Sequence, residues 1–141
     1  MPVKIKRSSQ KGQSLMELAL SLTVMLVLLG GIVDLGRAFF AFMALRDAVQ
    51  EGAMYGSLHP TSTVEIKNQV RDSSSMIPDM VSTDDITVEL LGAACTGNGL
   101  RVTAVYDDFP LTMPFLGTIL GRQTLTLRAS VTATILSPWC N

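Results

Sequence analysis

Lys11-Gly12-Gln13-Ser14-Leu15-Met16-Glu17, followed by Leu18 to Val33 without a single charge, decides the fold of this 141-residue chain. From Gln13 to Val33 the only ionisable side chain is Glu17. A helix rises about 1.5 Å per residue, so roughly twenty such residues span about 30 Å, the hydrocarbon thickness of a bilayer. Residues 13–36 therefore read as a transmembrane helix. Ahead of them, Lys4, Lys6, Arg7 and Lys11 gather positive charge where there is no acid. The positive-inside rule then keeps the N-terminus cytoplasmic and sends everything after Asp34 across the membrane.

Residues 1–12 are basic and polar, with no apolar core before Gly12 and no cysteine for a lipid anchor. An ordinary secretory signal is built the other way round, its apolar core preceding the cleavage site. A cut between Gly12 and Gln13 would remove the charges and keep the helix. The formal net charge of −1 would then fall to about −5. No basic stripe interleaved with aromatics remains, which argues against a nucleic-acid partner.

No proline interrupts Gln13 to Ser57, so the helix is expected to run on past the membrane, with Gly30-Gly31 as its one soft pair. From residue 37 to 58 it becomes amphipathic. Leu35, Ala38, Phe39, Phe42, Leu45, Val49 and Ala53 follow the three-four spacing of one buried face. Arg37, Arg46, Asp47, Gln50 and Glu51 fall mostly on the other side. Ala48, Gly52 and Gly56 form a row of small residues that admits close helix packing, either against another helix or against the chain's own domain. Asp34 and Arg37 are one turn apart and can pair where the helix leaves the lipid, or stand as two solvated interface charges. An exposed pair of this kind contributes on the order of a few tenths of a kcal/mol.

His59-Pro60 ends the long helix. Residues 59–141 read as a small α+β domain. Ser62 and Glu65 have the spacing of a capping box for a second helix over about Thr63 to Met76. Three strands follow: Ile86 to Leu90, Leu100 to Tyr106, and Leu125 to Ile135, each alternating apolar and polar residues. Gly92 to Gly99 joins the first two as an antiparallel hairpin. If the third strand runs antiparallel to the second, Cys140 returns to the end that holds Cys95. A disulfide is then plausible in an oxidising compartment, the alternative being two separate thiols. Phe109 to Gly121, with Pro110 and Pro114, reads as an apolar loop carrying one helical turn at Phe115 to Leu120, tucked against the sheet, a neighbour or the lipid surface. The fold class is α+β: a long helix, first transmembrane and then amphipathic, a short helix, and a three-stranded antiparallel sheet.

The Lys11-Gly12-Gln13-Ser14-Leu15-Met16-Glu17 run resembles a prepilin-type leader junction. Gly31-Ile32-Val33-Asp34-Leu35-Gly36-Arg37, Leu45, Ala48 and Glu51-Gly52-Ala53-Met54-Tyr55-Gly56 resemble the N-terminal half of TadE-like pseudopilins. The likeness is dense over residues 11–57 and looser at Val102 to Pro114 and Leu125 to Thr134. It departs at Leu18, where the pattern has Phe or Tyr, and at Val49, Gln50 and Met54. The resemblance implies a minor pilin of a Flp/Tad-type pilus or secretion system, acting in adhesion. It also implies a bacterial cytoplasmic-membrane location, leaving open whether the subunit stays in the membrane or enters the pilus. The partners it implies are other pilin subunits, a membrane prepilin peptidase cutting at Gly12–Gln13, the inner-membrane assembly machinery and membrane lipid. Glu17 takes the assembly role: a carboxylate in lipid is costly, and a freed α-amino group at Gln13 of a neighbour could neutralise it. Otherwise Glu17 is a glutamate snorkelling at the interface of a simple anchor.

Enzyme chemistry finds little support. His59 is the single histidine and precedes a proline, which works against His-based metal sites and Ser-His-Asp arrangements. Asp84-Asp85 and Asp107-Asp108 flank strands and read as solvated turn residues, too few in ligands for calcium. No cofactor or metal is called for. The competing function is a single-pass anchor that displays a small extracytoplasmic binding domain without filament assembly.

Overall fold

The computed structural model describes residues 11–113, 117 and 121–137. The leader through residue 10, all but Gly117 of the turn expected over 115–120, and Cys140 lie outside the described residues. Helix α1 spans Lys11–Leu58 without a break. At 1.5 Å per residue it is about 70 Å long. Gly30-Gly31 does not interrupt it. Its end is set by Pro60, which cannot donate a backbone hydrogen bond. His59 N–H makes the last one, to the Tyr55 carbonyl at 3.1 Å, and the two rings stack 4.7 Å apart.

Helix α2 covers Thr63–Asp72 and a short helix α3 covers Ile77–Met80. The helix expected to reach Met76 thus stops at Asp72, and α3 is a separate turn beyond it. The serine run explains it: Ser73 Oγ donates to the Val70 carbonyl and Ser74 Oγ accepts from the Met76 N–H, competing with the helical ladder. The capping box is not made either. Ser62 stands at the N-cap, but its side chain makes no capping bond and its backbone (φ −88°, ψ 62°) lies off the usual extended geometry.

Strands β1 (Ile86–Leu91), β2 (Gly99–Pro110) and β3 (Thr124–Thr134) form one antiparallel sheet in the order β1-β2-β3. Glu89 lies opposite Arg101, 3.8 Å apart, and the Thr103 and Ser130 hydroxyls meet at 2.9 Å on the facing strands. Asp107-Asp108 are not turn residues: β2 runs through them by a register shift between Tyr106 and Phe109. The bulge leaves both carboxylates exposed while Phe109 stays buried.

The core lies between one face of the sheet and the C-terminal half of α1, with α2 closing one side. Leu45, Val49, Ile66, Val70, Ile86, Leu100, Val102 and Ile135 are fully buried. Each such side chain contributes roughly 1.5–3 kcal/mol when removed from water. The buried face of α1 differs from the expected one at its lower end. Leu35 is 72 % exposed and Phe39 64 %, whereas Asp34 and Ala41 are buried. Helical period assigns residues to faces, but the sheet covers α1 only from about Ala41 onward, and below that level another segment chooses the side.

Candidate functional site

Two parts of α1 carry the chemistry. The first is its start. Gly12, Gln13 and Glu17 are exposed, and Glu17 stands one turn from Gln13 among the outward-facing Leu15, Met16, Leu18 and Leu20. Among the described residues no ion pair reaches Glu17. Leu15 is 67 % exposed and Met16 74 %, and the same holds through Leu22, Leu26 and Leu28 to Val33. A core helix of a soluble domain would bury such residues; here 6 % of the most apolar window is buried. The helix is long and apolar enough to cross a membrane.

The second part is Asp34, 2 % exposed. Its carboxylate accepts the Met113 N–H at 2.8 Å on Oδ2 and the Thr112 N–H at 3.2 Å on Oδ1. Arg37 Nη1 approaches Oδ1 at 3.4 Å and also donates to the Thr112 hydroxyl. The Arg37 guanidinium lies over the Phe109 ring, 5.5 Å from its centre. The 111–113 segment is held from its other end by Leu111 N–H donating to the Gln123 carbonyl at 2.9 Å. Met113 rests on Gly30, where an added Cβ would come within 2.7 Å of the Met113 Cε. The segment that leaves β2 therefore docks on α1 through Gly30, Asp34 and Arg37.

Asp34 and Arg37 do meet, as a buried acid and a half-exposed base. Asp34 is a buried acceptor for two backbone N–H groups, and the arginine completes it. Spacing along α1 revealed the pairing and not the role. The signal that could have found it is an acid at the end of an apolar helix together with an uncharged loop, Phe109 to Gly121, whose backbone donors need acceptors.

The row of small residues faces the chain's own domain. Ala48 is buried; a Cβ on Gly52 would fall 2.3 Å from Val70 Cγ2, and one on Gly56 would fall 2.6 Å from Leu100 Cδ2. Of the two partners left open for this row, α2 and β2 occupy it. At the far end of the sheet, the tail returns beside the Cys95 loop. Gly97 N–H donates to the Ile135 carbonyl, Ile135 N–H to the Asn98 carbonyl, and Thr96 Oγ1 to the Ser137 carbonyl. Cys95 is not a free thiol.

An exposed apolar helix carrying a small α+β domain on its C-terminal half defines a class: a domain borne on one helix built for a membrane. The particular relationship comes from sequence comparison. Residues 12–54, nearly the whole of α1, match the TadE-like protein family. No curated protein matches the chain at a significant level. No solved structure does either.

Proposed function

We propose that this chain is a pilin-like membrane subunit of a Flp/Tad-type pilus or secretion apparatus, serving adhesion. It is structural and not enzymatic. Its N-terminus lies in the cytoplasm and its α+β domain outside. A prepilin peptidase cuts between Gly12 and Gln13, and the amine so freed meets Glu17 of a neighbouring subunit during assembly with other pilin subunits. The observation that carries this reading is the coincidence of the TadE-like match with an apolar helix that exposes its side chains and holds one acid, Glu17, near its start.

Outside the membrane, the tail beside Cys95 supports a Cys95–Cys140 disulfide in an oxidising compartment.

Replacing Glu17 tests the assembly role. Glu17→Ala should still be trimmed and inserted, yet its recovery with other pilin subunits in sheared surface fractions should fall at least about tenfold, a change of about 1.4 kcal/mol or more. Recovery equal to the parent chain would contradict it.

A further inference from the structure

On the side of α1 turned away from the sheet, Ile32, Leu35, Phe39, Phe40 and Met43 succeed one another, all exposed. The same side becomes polar only at Arg46, Asp47, Gln50 and Glu51. Of the two charges in between, Asp34 is buried against the Thr112 and Met113 amides, while the half-exposed Arg37 is paired with it and laid over Phe109, on the flank of α1 beside the docked segment. Above Glu17, the apolar outer surface therefore runs from Leu18 to Met43. At 1.5 Å per residue that is about 38 Å, beyond a hydrocarbon core of about 30 Å and reaching into its interfacial zones.

The docked segment points the same way. Met113 lies level with Gly30, inside the uncharged run of α1. Non-helical backbone persists at membrane depth only where protein satisfies its polar groups. Asp34 does this for Thr112 and Met113. Beside the clamp, a largely apolar groove of about 560 Å³ opens between Val33 and Phe40 of α1, Met76 and Met80, and Pro110, with Arg37 in its wall. It is continuous with the exposed apolar surface below it.

We propose that the bilayer covers α1 beyond Asp34 as far as Met43, so that the base of the α+β domain rests in the headgroup and upper acyl region. Phe39, Phe40, Met76 and the 111–113 segment form that base, and lipid acyl chains fill the groove. The charge at Asp34 is thus balanced by Arg37 and solvated by the Thr112 and Met113 amides within the membrane interface instead of marking its edge. This rests on the membrane-anchored reading above.

Single-tryptophan variants of the full chain, made on Trp139→Phe and placed in phosphatidylcholine–phosphatidylglycerol vesicles, test it. The quencher is phosphatidylcholine brominated near the headgroup end of its acyl chains. Phe39→Trp should lose about half its emission and Gln50→Trp, on the same side of α1 but about 16 Å further along, almost none. Leu22→Trp serves as the control for the span and should be quenched. Quenching at Leu22→Trp with none at Phe39→Trp beyond that of Gln50→Trp would overturn the proposal and leave the anchor standing. No quenching at Leu22→Trp would overturn both. Blue-shifted but unquenched emission from Phe39→Trp would place a second copy or another protein there, and would also overturn it.

Discussion

Asp34 sits where an isolated carboxylate should be expensive, and its partners explain why it persists. Two backbone N–H groups and Arg37 fill its acceptor sites, while the segment they belong to gains an anchor it cannot find in the sheet. Asp34→Ala should lower the thermal midpoint of the domain in detergent micelles by about 5 °C and speed tryptic cleavage at Arg122. Asp34→Asn, which keeps one acceptor oxygen, should fall between. Unchanged melting and cleavage in Asp34→Ala would show that the docked segment does not depend on the clamp. A second carboxylate acts in the domain proper. Asp85 Oδ2 accepts the Ser82 hydroxyl at 2.7 Å and the Ser82 N–H at 3.0 Å, bonds that hold its pKa below the ordinary aspartate value of 3.8. A depressed folded-state pKa gives stability that is fully present above the unfolded value and is lost as pH falls through the folded one. Asp85→Asn should therefore flatten the acid limb of the stability–pH curve below about pH 4 and leave its neutral limb parallel to the parent's.

At the scale of elements, the close approach of α2 and β2 to α1 depends on Gly52 and Gly56. Gly52→Ala drives a methyl into Val70, itself fully buried, and should cost about 1–3 kcal/mol in chemical unfolding. Gly36→Ala meets nothing within 4 Å and should be neutral or stabilising by up to about 1 kcal/mol. Equal effects at the two positions would contradict the packing described. The elements themselves were legible where one local rule governs: no proline from Gln13 to Ser57, strict alternation from Leu125 to Ile135, Pro60 as the stop. They were less legible where two rules compete. Ser62 and Glu65 carry the capping pattern, yet the chain enters α2 from a turn in which Ser62 N–H donates to the His59 carbonyl, and the side chain makes no cap. Ser73-Ser74-Ser75 looked like a frayed end and instead closes α2 four residues early. Asp107-Asp108 looked like a turn because a bulge has the same composition, exposed and polar, while leaving the strand intact.

Across the whole molecule, a helix of about 70 Å serves two environments, and the domain grips only its upper part. Which face of α1 is buried could be read from its period; how far down the domain reaches could not. That limit is set by the 111–113 segment, some eighty residues away in the chain, which turns Asp34 inward and leaves Leu35 and Phe39 outside. The lower part of α1 has no partner among the described residues for Glu17, and the proposed function supplies one only after trimming. That trimming is the central claim. It is tested most directly by the intact mass of the chain purified from cells with and without the prepilin peptidase. With the enzyme the account predicts a polypeptide beginning at Gln13, and without it one that keeps the lysine-rich leader. A chain that retains the leader in both, or is cut elsewhere, would contradict it.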